Sequence, residues 1–153
     1  VKGYQLAHAA SAHGIHVAEI LAGEHPPLVR QENITRCIYT RLEAASIGLS
    51  EEQAKEAGYD VKVTQSAFQG NAKALIKGEN EGIIKLVIDQ TYGEILGAFI
   101  VGPHATDLIG EVLGVKASEG TIYELSEIIQ PHPALLEAIG EGADAYFGSA
   151  IHM

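Results

Sequence analysis

Apolar residues recur along this chain first at helical spacing, then at strand spacing, then again at helical spacing, and the changes outline its elements. Residues 5–22 carry Leu6, Ala9, Ala10, Val17, Ile20 and Leu21 on one helical face, with Gly23 where a helix commonly stops. Glu24-His25-Pro26-Pro27 follows as a linker, because consecutive prolines resist both helix and ladder pairing. A compact domain is expected from about Asn33, with a first strand over 35–40. Ser50-Glu51-Glu52-Gln53 is a capping box that opens a short helix to about Ala57, ended by Gly58. Residues 59–66 alternate in part and predict a strand, and 72–77 predict a less regular one. The clearest pairing is a hairpin of two β-branched runs, 83–89 and 94–101, joined across Gln90-Thr91-Tyr92-Gly93.

Gly102-Pro103 ends the sheet. Residues 105–116 then return to helical spacing through Leu108, Ile109, Val112, Leu113 and Val115. A second helix is expected over 122–129 and a last one over 134–140. Strands first and helices after predict an α+β fold, an antiparallel sheet with helices packed on one face, preceded by the N-terminal helix. A parallel nucleotide-binding sheet would alternate strands with helices. There is also no Gly-x-Gly-x-x-Gly, so the chain carries neither a dinucleotide fingerprint nor a phosphate loop. Gly110, Gly114, Gly140 and Gly142 fall inside helical patterns, where each costs about 1 kcal/mol. Close approach of another backbone would offset that cost. For Gly140 and Gly142, close approach and a simple helix break stand level.

Charge and cysteine content narrow the function classes. Twenty acidic against ten basic residues leave a formal charge of −10, which argues against nucleic acid and anionic membrane as partners. No apolar run approaches the ~20 residues that cross a bilayer, and the start lacks the basic, apolar and small-residue order of a secretory signal. A soluble, cytoplasmic protein is expected. Cys37 is the single cysteine, so neither an internal disulfide nor a four-thiolate metal site can form. In the strand-like Ile34-Thr35-Arg36-Cys37-Ile38-Tyr39 it is expected to behave as a small buried hydrophobe.

The candidate chemistry lies in Pro131-His132-Pro133-Ala134-Leu135-Leu136-Glu137. Pro133 suits the first position of a helix, where its missing N–H is no loss. His132 on the entering turn can then be met by Glu137 about one turn in. Such a carboxylate fixes the tautomer of the imidazole and raises its basicity, which suits general acid/base work near neutral pH. The plain alternative is a histidine that ends a loop and a solvated first-turn acid favoured by the helix dipole. His8, His13 and His16 invite a metal reading as well. Two imidazoles at i, i+3 without a carboxylate or thiolate are more commonly a polar helix face, and no metal is expected.

Three segments carry a resemblance: Gly93-Glu94-Ile95-Leu96-Gly97-Ala98-Phe99-Ile100-Val101-Gly102-Pro103-His104, then Asp107-Leu108-Ile109-Gly110-Glu111, then residues 127–139 around the His-Pro turn. In order and spacing they resemble the C-terminal part of the dihydrolipoamide dehydrogenases, a family of flavin disulfide oxidoreductases, and the likeness covers essentially the whole chain. The resemblance implies a remnant of the FAD-binding domain over 1–32 and a dimerisation domain over 33–153. Val1-Lys2-Gly3 would begin just past the Gly-Asp pair that holds the ribityl chain. Residues 4–8 match the segment whose backbone reaches the flavin, and Ala7, His132 and Pro133 are the implied cofactor-facing positions.

By the same resemblance His132 and Glu137 are the catalytic pair of a homodimer. His132 reaches the partner subunit's redox-active thiols and takes a proton from dihydrolipoamide, while Glu137 orients it. FAD and NAD serve the full-length parent, and its dihydrolipoamide is carried on the acyltransferase subunit of a 2-oxo acid dehydrogenase complex. The reactive cysteines would belong to sequence outside this chain. Alone, the chain is expected to be dimeric, inactive and without bound flavin. Gln130, Ala134, Leu136 and Leu42 depart from the usual pattern of relatives, which keeps open a glutathione or mercuric type of reductase. A non-catalytic dimerisation module is the reading from a different class.

Overall fold

Five strands pair into one open antiparallel sheet in the order β1-β2-β5-β4-β3, seen in a computed structural model that describes residues 3–152. The strands are β1 Arg36–Ile38, β2 Glu43–Gly48, β3 Val61–Ala67, β4 Ile83–Asp89 and β5 Ile95–Gly102. The helices are α1 Ala7–Leu21, α2 Glu51–Glu56, α3 Ala72–Lys77, α4 Ala105–Ala117, α5 Ile122–Glu127 and α6 Glu137–Phe147. Val1 and Lys2, where the resemblance places the approach from the ribityl-binding pair, lie outside the described residues, as does Met153.

Alternation along the expected hairpin divides its side chains between two cores. Ile84, Leu86 and Ile88 of β4, with Ile95, Ala98 and Ile100 of β5, face α4, α5 and α6 and pack on Leu108, Ile109, Val112, Ile122, Leu125 and Ile139. On the other face Val87 and Leu96 meet Ala54 of α2, with Val63 and Phe99 alongside. The class is the α+β of the sequence reading. Four helices gather on one face and α2 alone covers the other. Its capping box is present as expected, with Ser50 and Gln53 bonding each other's backbone N–H groups.

Four elements differ from expectation. Residues 72–77 form α3 rather than a strand, because the Asn71 side chain accepts the Ala74 N–H and Gly78 closes the helix in the left-handed region, on an Ala-Lys-Ala-Leu-Ile-Lys run that itself favours helix. Strand β2 has no strong strand residues except Ile47. It forms because β1 and β5 both pair with it, which turns Ala45 and Ile47 into the core. The helix expected over 122–129 ends at Glu127, and Ile128 is already extended. The helix expected over 134–140 begins only at Glu137 and runs on past Gly140 to Phe147, where Gly148 closes it. Side chains take the backbone groups of Ala134: Glu137 accepts its N–H and Asn71 donates to its carbonyl.

Helix α6 is fixed on the sheet by two buried hydroxyls of β3. Thr64 donates to the Gly142 carbonyl at 2.6 Å and Ser66 to the Ala138 carbonyl. Gly140 and Gly142 both lie inside α6, so neither is a break, but what stands against them is side chain, the Gln130 amide at Gly140 and Ser66 and Leu86 at Gly142, and not the second backbone that was expected. In α4, Gly110 and Gly114 have open space where a side chain would stand. Of the apolar positions read on α1, only Ala9 is buried, while Val17, Ile20 and Leu21 are exposed. Cys37 is half-buried and packs against the main core. Among the described residues no helix is long and apolar enough to cross a membrane.

Candidate functional site

The His-Pro turn brings its imidazole and carboxylate together. Nδ1 of His132 donates to Oε1 of Glu137 at 2.8 Å, and Oε2 of Glu137 accepts the Ala134 N–H at 2.7 Å. One carboxylate therefore holds both the ring and the backbone that carries it. With the proton on Nδ1, Nε2 of the neutral ring is the free base. The His132 side chain is 71% exposed against 28% for Glu137, so the base projects outward from a partly covered acid. The His132-Pro133 peptide is cis.

Burial pushes the Glu137 carboxyl up, but the Ala134 N–H and the His132 ring together outweigh it, and the group titrates below the usual carboxylate range. The acid thus stays ionised near neutral pH, where it can stabilise a positive imidazole. Its placement depends on α6, which the β3 hydroxyls fix, and on Asn71. That buried side chain caps α3 with its oxygen and donates Nδ2 to the Ala134 carbonyl at 2.9 Å.

Sequence reasoning missed Asn71, sixty-one positions from His132; its only local signal is a helix-capping residue before Ala72 with Gly78 behind. It also missed Glu141 and His152, which line the same small cleft as His132 and Glu137. Glu111 is a further, half-buried acid, bonded to Gln130 just before the His-Pro turn. Burial raises its carboxyl, partly offset by the Gln130 amide, and one of its oxygens has no partner.

Ala7, the third expected cofactor-facing position besides His132 and Pro133, is not brought to them. It is exposed at the start of α1, on an open hollow of about 710 Å³ lined also by Gly3, Tyr4, Leu6 and Ala10. Among the described residues none lines both that hollow and the His132 cleft. Leu6, the residue before α1, gives no side-chain cap to the N–H groups of its first turn. Arg36 anchors this segment, donating to the Tyr4 hydroxyl at 3.1 Å and to the Gly48 carbonyl. Nε2 of His8 bonds the Thr35 carbonyl, and among the described residues no three His, Cys, Asp or Glu side chains converge as a metal site would need.

Comparison with known proteins gives one consistent picture. Residues 34–143 match the dimerisation domain of the pyridine nucleotide-disulphide oxidoreductases. The chain is 44% identical over 152 residues to a dihydrolipoyl dehydrogenase of Bacillus subtilis (strain 168), covering 99% of this chain and 32% of that protein. It is 40% identical over 148 residues to the dihydrolipoyl dehydrogenase of Zymomonas mobilis, covering 96% and 32%. The chain thus spans about a third of the length of the curated relatives it matches. Among solved structures, LpdA of Mycobacterium tuberculosis superposes with a TM-score of 0.86 at 22% identity, over 94% of this chain and 31% of that one. The HOCl-induced flavoprotein disulfide reductase RclA of Escherichia coli, as a Cu(II) complex, gives 0.84 at 22% identity, over 94% and 33%; at such identity the two establish a shared fold. From residue 34 to residue 143 the whole sheet, the His-Pro turn and the first part of α6 fall within one family match, and the chain belongs to the pyridine nucleotide-disulphide oxidoreductase dimerisation-domain family.

Proposed function

We propose that this chain is the interface part of a cytoplasmic, homodimeric dihydrolipoamide dehydrogenase, with residues 1–32 closing an FAD-binding domain and 33–153 forming the dimerisation domain. The observation that carries the reading is the 2.8 Å bond from His132 to Glu137, which leaves an outward Nε2 free. His132 accepts the proton of a substrate thiol at that nitrogen. The thiolate is the nucleophile in disulfide exchange, so a base beside the attacking sulfur speeds the step. Glu137 fixes the tautomer and stabilises the imidazolium. The substrate is dihydrolipoamide borne on the acyltransferase of a 2-oxo acid dehydrogenase complex, and the receiving disulfide belongs to the partner subunit.

FAD, when bound, carries electrons from that disulfide to NAD. The uncapped first turn of α1, with Ala7, would hold an electron-rich edge of the flavin. In the full-length dimer His132 and Pro133 would stand toward the partner's flavin and Ala7 toward that of its own subunit, which is in keeping with the different hollows that His132 and Ala7 line. The close identity to dihydrolipoyl dehydrogenases favours this substrate over glutathione or mercuric ion.

The test is rapid-mixing kinetics of the full-length flavoprotein. His132→Gln should slow flavin reduction by dihydrolipoamide about 10²–10⁴-fold, the usual weight of acid/base assistance, and leave reoxidation by NAD unchanged. An unchanged dithiol step removes the base from His132.

A further inference from the structure

A second imidazole–carboxylate pair stands beside the first. Glu141 follows Glu137 by one turn of α6, so both acids project from the same helix face. Oε1 of Glu141 accepts from Nδ1 of His152 at 3.0 Å, while Oε2 accepts the backbone N–H groups of Ile151 at 2.7 Å and His152 at 2.9 Å. The chain returns to this acid because Gly148 ends α6 in the left-handed region. Ile151 remains 79% exposed, so apolar burial does not hold the returning segment; the Glu141 carboxylate does.

The segment lies directly on Gly70, where a Cβ would stand 2.1 Å from the His152 carbonyl oxygen. Gly70 leads into Asn71, which holds the Ala134 carbonyl of the His132 turn. His132, Glu137, Glu141 and His152 thus line one cleft of about 80 Å³, and two imidazoles share it with two carboxylates. A free His152 ring there would compete with His132 for Glu137. Glu141 takes two backbone N–H groups and the ring of this segment, so His152 is bonded to Glu141 while His132 is bonded to Glu137.

We propose that Glu141 is a positioning residue of the His132 site: it clamps residues 151–152 over Gly70, keeps His152 as its own partner and leaves Glu137 to His132. The proposal rests on the reading of His132 as the base.

The full-length flavoprotein dimer tests it. Glu141→Gln should slow flavin reduction by dihydrolipoamide about tenfold, as expected of a slightly misdirected group, with reoxidation by NAD at the normal rate. Adding His152→Ala removes the competing ring and should restore most of the rate. A normal dithiol step in Glu141→Gln, equal slowing of both half-reactions, or a loss that His152→Ala does not relieve would each overturn the clamp. Should Glu141→Gln not assemble, Ile151→Pro removes one clamped N–H and leaves the acid in place. It carries the same expectations, and a normal rate in it counts against the proposal. His132→Gln run alongside separates the two ideas. If it leaves the dithiol step unchanged, the base reading falls; if it slows that step and Glu141→Gln does not, the clamp alone falls.

Discussion

Glu137 divides its two oxygens between the His132 ring and the Ala134 N–H, and that division explains both the aim of the imidazole and the late start of α6. The pairing was legible in the sequence because the two residues lie within one short turn. Its geometry was not: the acid reaches back from the first residue of the helix instead of standing one turn inside a helix opened by Pro133. Glu137→Gln in the full-length enzyme keeps the shape and loses the charge, so we expect the dithiol half-reaction to slow by about 10-fold or more in the same kinetic assay. The lowered titration of Glu137 has a second consequence. A carboxyl depressed in the folded chain contributes stability above the ordinary value near 4.3, and that contribution is lost as pH falls through the lower folded value. Urea unfolding of wild type should therefore lose stability more steeply below about pH 4.5 than unfolding of Glu137→Gln. Equal slopes would contradict the assignment.

At the scale of elements, what could be read from sequence was whatever is decided locally. The hairpin of β4 and β5 follows from its β-branched runs, and α2 from its capping box. Strand β2 and helix α3 depend on distant partners. Glu43–Gly48 becomes a strand only between its two neighbours, and 72–77 become a helix because Asn71 turns inward as a cap. Asn71 also couples α3 to the His-Pro turn across sixty-three positions, through the Ala134 carbonyl. Asn71→Ala removes a helix cap and leaves that carbonyl without its donor, so it should cost about 2 kcal/mol in urea unfolding. Loss within a few tenths of a kcal/mol would show that the coupling carries no weight.

For the whole molecule, helices lie on both faces of the sheet, α2 alone on one of them, while several large apolar side chains stay at the surface. Tyr123 and Phe147, with ring centroids 5.2 Å apart, are both exposed, and Ile128 and Ile129 lie just beyond α5. The family is one of dimerisation domains, and a surface of this kind suits burial against a second copy. The fold class and the family likeness were legible in the chain alone, because they rest on the order of elements and on contiguous segments. The convergence of Asn71, Glu141 and His152 on the His132 turn was not, since it is made by returns of the chain over the sheet. The central claim is that His132 serves the disulfide of the other subunit. Complementation between two inactive full-length variants tests it most directly, one carrying His132→Gln and the other lacking the redox-active thiols. After subunit exchange the mixed dimer regains one complete site, and dihydrolipoamide oxidation should rise toward about a quarter of the wild-type rate. No recovery in a mixture whose exchange has been verified would contradict the account.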